Sequence, residues 1–374
     1  MSREIEERIH QALQGVSDPE LHRPLPELGM VKSVEFKKGI AQITILLTIS
    51  GCPMRDRLEK DISDALEPIA EVTSLDLIFG VMNDEERNNV KRLLKGGKEK
   101  FIPFAQPDSL TRVIGIASGK GGVGKSSVTV NLAVAAAKKG LKVGILDADV
   151  YGHSIPRLMG IVGKRPTAID QTFIPVEAFG VKVVSMEMFK PERSDAVAFR
   201  GPMLHKVLEQ LLSDAYWGDL DLLLLDLPPG TGDIAISLGQ LLPSSEIIVV
   251  TTPQIAAAEV AERAGRIAHQ LKQQIIGVIE NMSDTACLKC GEPIAIFGSG
   301  GGDEAAKQLS TLVGANVPVI GQIPFTAALR EGGDSGEPIV ISDPMCLASE
   351  SFTAIAEKIT LRPKSLVGVR LSLS

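Results

Sequence analysis

Apolar residues open the chain at every fourth position. Ile5, Ile9 and Leu13 share one face of a helical period before "SDPE" at 17–20 breaks it. Next, "VKSVEFKKGIAQITILLTI" carries two β-rich runs around a Lys-Gly turn and predicts a hairpin. Leu58, Ile62 and Leu66 mark a second amphipathic helix, and "VTSLDLIFG" predicts another strand. The order α-β-β-α-β predicts a small α+β domain over residues 1–82. Residues 83–109 then turn polar and basic, and "ERNNVKRLLKGGKEKFIPFAQPDS" reads as a solvated linker rather than a binding patch.

After Leu110 the pattern changes. Short apolar runs ("RVIGIA", "KVGILD", "VKVVSM", "LDLLLLD", "EIIVVTT", "QIIGVIE", "NVPVIGQI") alternate with helical stretches. They lack a period of two, as parallel strands buried on both faces do. Seven such runs separated by helices predict an α/β domain over 110–374 with a doubly wound, mostly parallel sheet. Ligands of such sheets bind at the carboxyl ends of the strands.

Composition narrows the function classes. The chain has 374 residues, 44% of them hydrophobic, enough for two or three packed domains. A net charge of −7 and 4% aromatic residues weigh against a nucleic-acid binder, which needs a basic face or stacking platforms. "MSREIEERIH" is charged and amphipathic, so no signal peptide is expected, and no apolar run approaches a membrane span. A cytoplasmic protein without membrane or nucleic-acid partners is expected. The four cysteines, Cys52, Cys287, Cys290 and Cys346, are too sparse for a disulfide scaffold.

"GKGGVGKS", Gly119 to Ser126, fits the phosphate-binding loop pattern, with a strand before it and the helical "SSVTVNLAVAAAKK" after it. Gly119, Gly121, Gly122, Val123 and Gly124 give a tight turn whose N–H groups can face phosphate oxygens, and Ser127 continues into the helix. Lys125 is expected to bind the β- and γ-phosphates of ATP, and the Ser126 hydroxyl to ligate Mg²⁺. "LLLLDLPPGTGD" ends a strand in Asp226, suited to the Mg²⁺ shell, and its turn carries Gly230, whose backbone could sense a γ-phosphate. "GILDADVYG" places Asp147 and Asp149 after another strand; either could orient water, and both could be ordinary caps.

A second lysine, Lys120, has no task in this minimal loop. "SGKGGVGKSS", "LDADVYG" and "LDLPPGTGD" together resemble the deviant Walker-A ATPases, the group of MinD, ParA and the nitrogenase iron protein. The resemblance implies a nucleotide-dependent homodimer in which Lys120 reaches the partner's phosphates, like a cation supplied in trans. It also implies that Asp149 orients water and that Asn281, in "ENMS", contacts adenine.

"CLKC", Cys287 to Cys290, follows the sixth run. A buried apolar pair is disfavoured because Lys289 between the thiols needs solvent. A redox pair normally opens a helix, and a zinc site within one chain needs two more ligands. A two-fold dimer would bring two copies together, giving four thiolates suited to a [4Fe–4S] cluster or Zn²⁺.

"FRGPM" at 199–203, "WGDLDLLLLDLPPGTGD", the late CxxC, "FGSGGG" and "IPF" resemble the Mrp/ApbC family of iron–sulfur carrier ATPases over residues 110–362. "SDPEL", "LGMV" and "GCP" resemble the small iron–sulfur-assembly domain often fused ahead of it. Leu288 stands where that family usually has proline after the first cysteine. The resemblance implies ATP hydrolysis, a [4Fe–4S] cluster held at a homodimer interface by Cys287 and Cys290, and transfer to apo iron–sulfur proteins. Cluster handling by Cys52 and an ordinary thiol beside a turn stay equally open; Cys346 is expected to be structural. The alternatives are a MinD/ParA-like spatial regulator, which leaves the CxxC without a purpose, and a nitrogenase-like reductase, disfavoured by the CxxC spacing and the small first domain.

Overall fold

The computed structural model describes residues 2–48, 54–94, 102–150, 152–169, 172–190, 201–230, 232–286 and 289–360. The chain divides into two compact units, one of Met1–Phe101 with Thr167–Ile174, the other of Ile102–Pro166 with Pro175–Ser374.

The first unit contains α1 (Ser2–Leu13), β1 (Val31–Lys37), β2 (Ile40–Leu47), α2 (Arg55–Leu66), β3 (Ser74–Val81) and α3 (Asp84–Leu94). β1 and β2 pair antiparallel across Lys38 and Gly39, both at positive φ (50° and 85°), the geometry a two-residue hairpin turn requires. β3 joins β2 in parallel, which obliges the chain to cross over through α2. The helical stripes Ile5, Ile9, Leu13 and Leu58, Ile62, Leu66 are buried, as their spacing requires. Within the stretch expected to be a linker, Asn83 caps α3. Its Oδ1 accepts from Glu86 N (2.9 Å) while Glu86 Oε2 accepts from Asn83 N (2.8 Å). A short antiparallel hairpin, Thr167–Ile169 with Thr172–Ile174, also belongs to this unit, and Thr167 Oγ1 donates to Glu20 Oε1 at 2.9 Å.

The second unit holds β4 (Arg112–Ser118), α4 (Lys125–Lys138), β5 (Val143–Asp147), β6 (Val176–Ala178), β7 (Val181–Ser185), α5 (Gly201–Ser213), β8 (Leu222–Asp226) and α6 (Asp233–Leu241). It continues with β9 (Glu246–Thr251), α7 (Ile255–Gln270), β10 (Gln274–Ser283), α8 (Gly301–Val313), β11 (Val319–Pro324) and α9 (Leu347–Thr360). The strands form one sheet in the order β11-β10-β9-β4-β8-β5-β7-β6. The seven predicted runs are its seven parallel strands; β6, too short for any period to show, adds an antiparallel edge. β5 and β8 are buried at every residue, which explains their unbroken apolar sequence. Ile114, Ile145, Leu224, Ile248, Val128, Leu132 and Phe352 anchor the core between sheet and helices. Each such side chain contributes about 1.5–3 kcal/mol by leaving water.

β4 lies between β8 and β9, where the chain's direction of travel across the sheet reverses. The carboxyl end of β4 is therefore the ligand-binding crevice of this topology. No helix among the described residues is long and apolar enough to cross a membrane.

Candidate functional site

The phosphate loop leaves β4 at Ser118 and enters α4 at Lys125. Two glycines are dictated by their surroundings. A Cβ on Gly119 would stand 2.0 Å from the Val260 carbonyl oxygen, so the loop passes directly over the backbone of α7. Gly124 caps α4 in the left-handed region at φ 78°, and a Cβ there would stand 2.3 Å from Asn281 Nδ2. Gly121 and Gly122 are exposed at the rim, Val123 is buried beneath it, and Ser127 is half-buried on α4.

Lys125 and Asp226 meet at the centre. Lys125 Nζ lies 2.7 Å from Asp226 Oδ1, and neither side chain has appreciable contact with solvent. Asp226 also accepts from Ser126 Oγ (2.6 Å) and from Thr129 Oγ1 (2.7 Å). Thr129 was not singled out in the sequence. Its signal is its place one helical turn beyond Lys125, on the same face of α4. The Ser126 hydroxyl and the Asp226 carboxylate form an all-oxygen donor set of the kind Mg²⁺ takes.

Asp147 sits in register with Asp226 on the neighbouring strand. Burial, reinforced by the Asp226 charge, pushes its carboxyl well above the usual carboxylate range. It accepts from Ser185 Oγ at 2.9 Å and from Asp149 N at 3.3 Å, a second partnership the sequence pattern did not reveal. Asp149 is half-buried, and its Oδ1 accepts from Gly152 N at 2.9 Å. The two aspartates thus differ: one is sealed beside the Lys125 pair, the other retains solvent access.

Gly230, whose backbone could sense a γ-phosphate, donates its N–H to Ser118 O at 2.9 Å in this structure. Lys120 is half-buried, and its Nζ donates to Gln254 Oε1 (3.2 Å) just before α7. Asn281 is 2% exposed; its Nδ2 donates to Val123 O at 2.9 Å, and its Oδ1 is buried without a hydrogen-bond partner. An orphaned buried acceptor against the phosphate loop fits a ligand that brings its own donor, as the exocyclic amine of adenine does. Beside it, the buried Glu280 accepts from Gly302 N (2.6 Å) and Gln322 Nε2 (2.9 Å), tying the start of α8 to β10 and β11.

Beyond β10, Thr285–Ala286 pairs antiparallel with Pro293–Ile294, and the turn between them carries Cys290, which is exposed. Its Sγ lies 4.0 Å from Glu292 Oε2. Cys287, the other half of the pair, lies outside the described residues, as do Cys52, Leu288, Phe199 and Arg200. Cys346 is half-buried against the core and within 3.4 Å of Ser349 N. Among the described residues, no three His, Cys, Asp or Glu side chains converge on one metal position.

Known proteins match most of the chain's length. The family described as NUBPL iron-transfer P-loop NTPase matches residues 109–360, and the iron–sulfur cluster assembly protein family matches residues 6–77. An iron–sulfur cluster carrier protein of Mycobacterium tuberculosis (strain ATCC 25618 / H37Rv) is 51% identical over 367 residues, 98% of this chain and 96% of that one. The iron–sulfur cluster carrier protein of Bacillus subtilis (strain 168) is 40% identical over 322 residues, 86% of this chain and 88% of that one. Among solved structures, a nucleotide-binding protein from Archaeoglobus fulgidus in complex with ADP is 35% identical. That match covers 62% of this chain and 92% of the other, with a TM-score of 0.52. The chain belongs to the NUBPL iron-transfer P-loop NTPase family, with an iron–sulfur cluster assembly domain ahead of the NTPase.

Proposed function

We propose that this chain is an ATP-hydrolysing iron–sulfur cluster carrier, working as a homodimer that holds a [4Fe–4S] cluster between two Cys287–Cys290 pairs and passes it to apo-proteins. The observation that carries the reading is the presence in one unit of a buried Lys125–Asp226 centre and an exposed Cys290 thiol. The first suits nucleotide phosphates, and the second is a sulfur donor open to a second copy and to client proteins.

ATP enters along the loop 119–126, where backbone N–H groups and the amino end of α4 meet its phosphates. Lys125 exchanges Asp226 for phosphate oxygens, and Asn281 Oδ1 accepts from the adenine amine. Ser126 and Asp226 would hold Mg²⁺, which would offset phosphate charge when bound. Asp149, the solvent-accessible aspartate, orients the attacking water. Lys120 leaves Gln254 for the partner's γ-phosphate, where a cation stabilises developing charge. Two thiolates from each copy complete a four-thiolate set for the cargo cluster.

The test is transfer. Protein loaded anaerobically, mixed with an apo iron–sulfur enzyme and Mg–ATP, should restore the acceptor's activity at a rate that free iron and sulfide do not match. Equal rates with and without the protein would remove the carrier role.

A further inference from the structure

We infer that the kink at Asn281–Ser283 is a positioning element that sets the cysteine turn according to what the phosphate loop holds. β10 leaves regular pairing here, with a register shift against β11 between Asn281 and Ser283. Met282, between them, adopts φ 61° in the left-handed region. A non-glycine residue stays there only where its neighbours hold it.

Met282 is held from both sides. On one, Asn281 Nδ2 donates to Val123 O inside the phosphate loop (2.9 Å), and Gly124 leaves that amide no slack, since a Cβ would stand 2.3 Å from it. On the other, Ser283 O accepts from Phe325 N at 3.1 Å, just past β11. Two residues beyond Ser283 the hairpin with the cysteine turn begins at Thr285. Its return limb leads to Phe297, whose ring packs edge-on against Phe325 with centroids 5.4 Å apart. Phe325 therefore anchors both feet of the excursion that carries Cys290.

Phosphate binding acts on the backbone of the Val123–Gly124 stretch, which is where Asn281 is tied. The torsion able to absorb a shift there is the strained one at Met282, which has an unstrained alternative at negative φ. Two arrangements of one short segment, each biased by loop occupancy, give the discrete element that coupling between sites requires. The purpose, adjusting the thiolates to nucleotide state, rests on the carrier reading above; the coupling itself does not need a cluster.

The test uses the full chain without cluster. Alkylation of Cys290 by N-ethylmaleimide is followed by mass spectrometry in buffer, with Mg–ADP and with Mg–ATP, and Cys346 serves as an internal reference. Nucleotide should change the Cys290 rate by about fivefold or more, and Met282→Gly, to which both torsions are open, should cut that change to within about twofold. Met282→Asn, which tolerates the left-handed region, should keep it. A fluorescent ADP analogue should bind all three proteins with affinities within about fivefold, the limit that reciprocal coupling of this size sets. No nucleotide effect in the parent, or an undiminished effect in Met282→Gly, overturns the inference. Failure to load a cluster in separate reconstitution would instead remove the carrier reading and leave the coupling result standing.

Discussion

Lys125 and Asp226 form a buried ion pair at 2.7 Å, with the lysine side chain 6% exposed and the aspartate 0%. Each is the other's charge compensation, and two hydroxyls, Ser126 and Thr129, complete the carboxylate's partners. Removing one member leaves the other buried and uncompensated, which costs about 3–5 kcal/mol. Asp226→Asn should lower stability by that order in urea unfolding. Saturating ADP should recover part of the loss, because phosphate gives Lys125 a new anion. An Asp226→Asn protein as stable as its parent would show that the pair carries no such role.

Lys120 has a weaker hold. Its contact with Gln254 is a single hydrogen bond at a half-buried position, worth about 1 kcal/mol, so leaving it is cheap. If the ammonium acts in trans on the transition state, Lys120→Ala should slow ATP hydrolysis by about 10³-fold or more while leaving ADP affinity nearly unchanged. Steady-state turnover together with equilibrium binding separates the two effects. Unaltered turnover would end the trans-acting assignment.

Asp147 predicts a pH dependence. Burial and the Asp226 charge raise its carboxyl well above the usual range. A raised carboxyl favours folding while it is protonated. That contribution is complete below the ordinary value of about 4 and is lost as pH rises through the raised one. Asp147→Asn keeps an acceptor, offers Ser185 a donor and never charges. In nucleotide-free protein it should be more stable than the parent by on the order of 1 kcal/mol near neutral pH, with the gap closing toward about pH 4. Thermal melts across that range check both the sign and the convergence.

Gly124 tests the geometry of the loop. Gly124→Ala must adopt φ near 78° and place a methyl 2.3 Å from Asn281 Nδ2, so Asn281 has to leave Val123 O. The left-handed backbone alone costs about 1–2 kcal/mol. ADP affinity should fall at least about tenfold, a larger effect than alanine at Gly121, where a Cβ meets nothing within 4 Å. Similar affinities for the two variants would contradict the packing described.

Much of this was legible in the chain. The apolar runs lacked a period of two because most of their strands are covered on both faces, β5 and β8 at every residue, and the phosphate loop announced itself between a strand and a helix. Helix α3 was readable in principle: Asn83 followed three positions later by Glu86 is a capping pattern, masked by the basic residues around it. Strand β6 and the Thr167–Ile174 hairpin were not readable, since three-residue strands carry no period. Nor were the pairings of Lys120 with Gln254, Asp147 with Ser185 and Asn281 with Val123, each spanning dozens of residues. Local pattern fixes which elements form; only packing decides which distant side chains meet.

In the proposed function, two copies of this chain share one cluster through Cys287 and Cys290. Anaerobic reconstitution, with iron and sulfide assayed against protein and molecular mass measured on the same sample, tests it most directly. The expected result is about one [4Fe–4S] per two chains in a dimer, and loss of the cluster in the Cys287→Ser, Cys290→Ser double variant. A cluster retained by that variant, or a full cluster bound by each single chain, would contradict it.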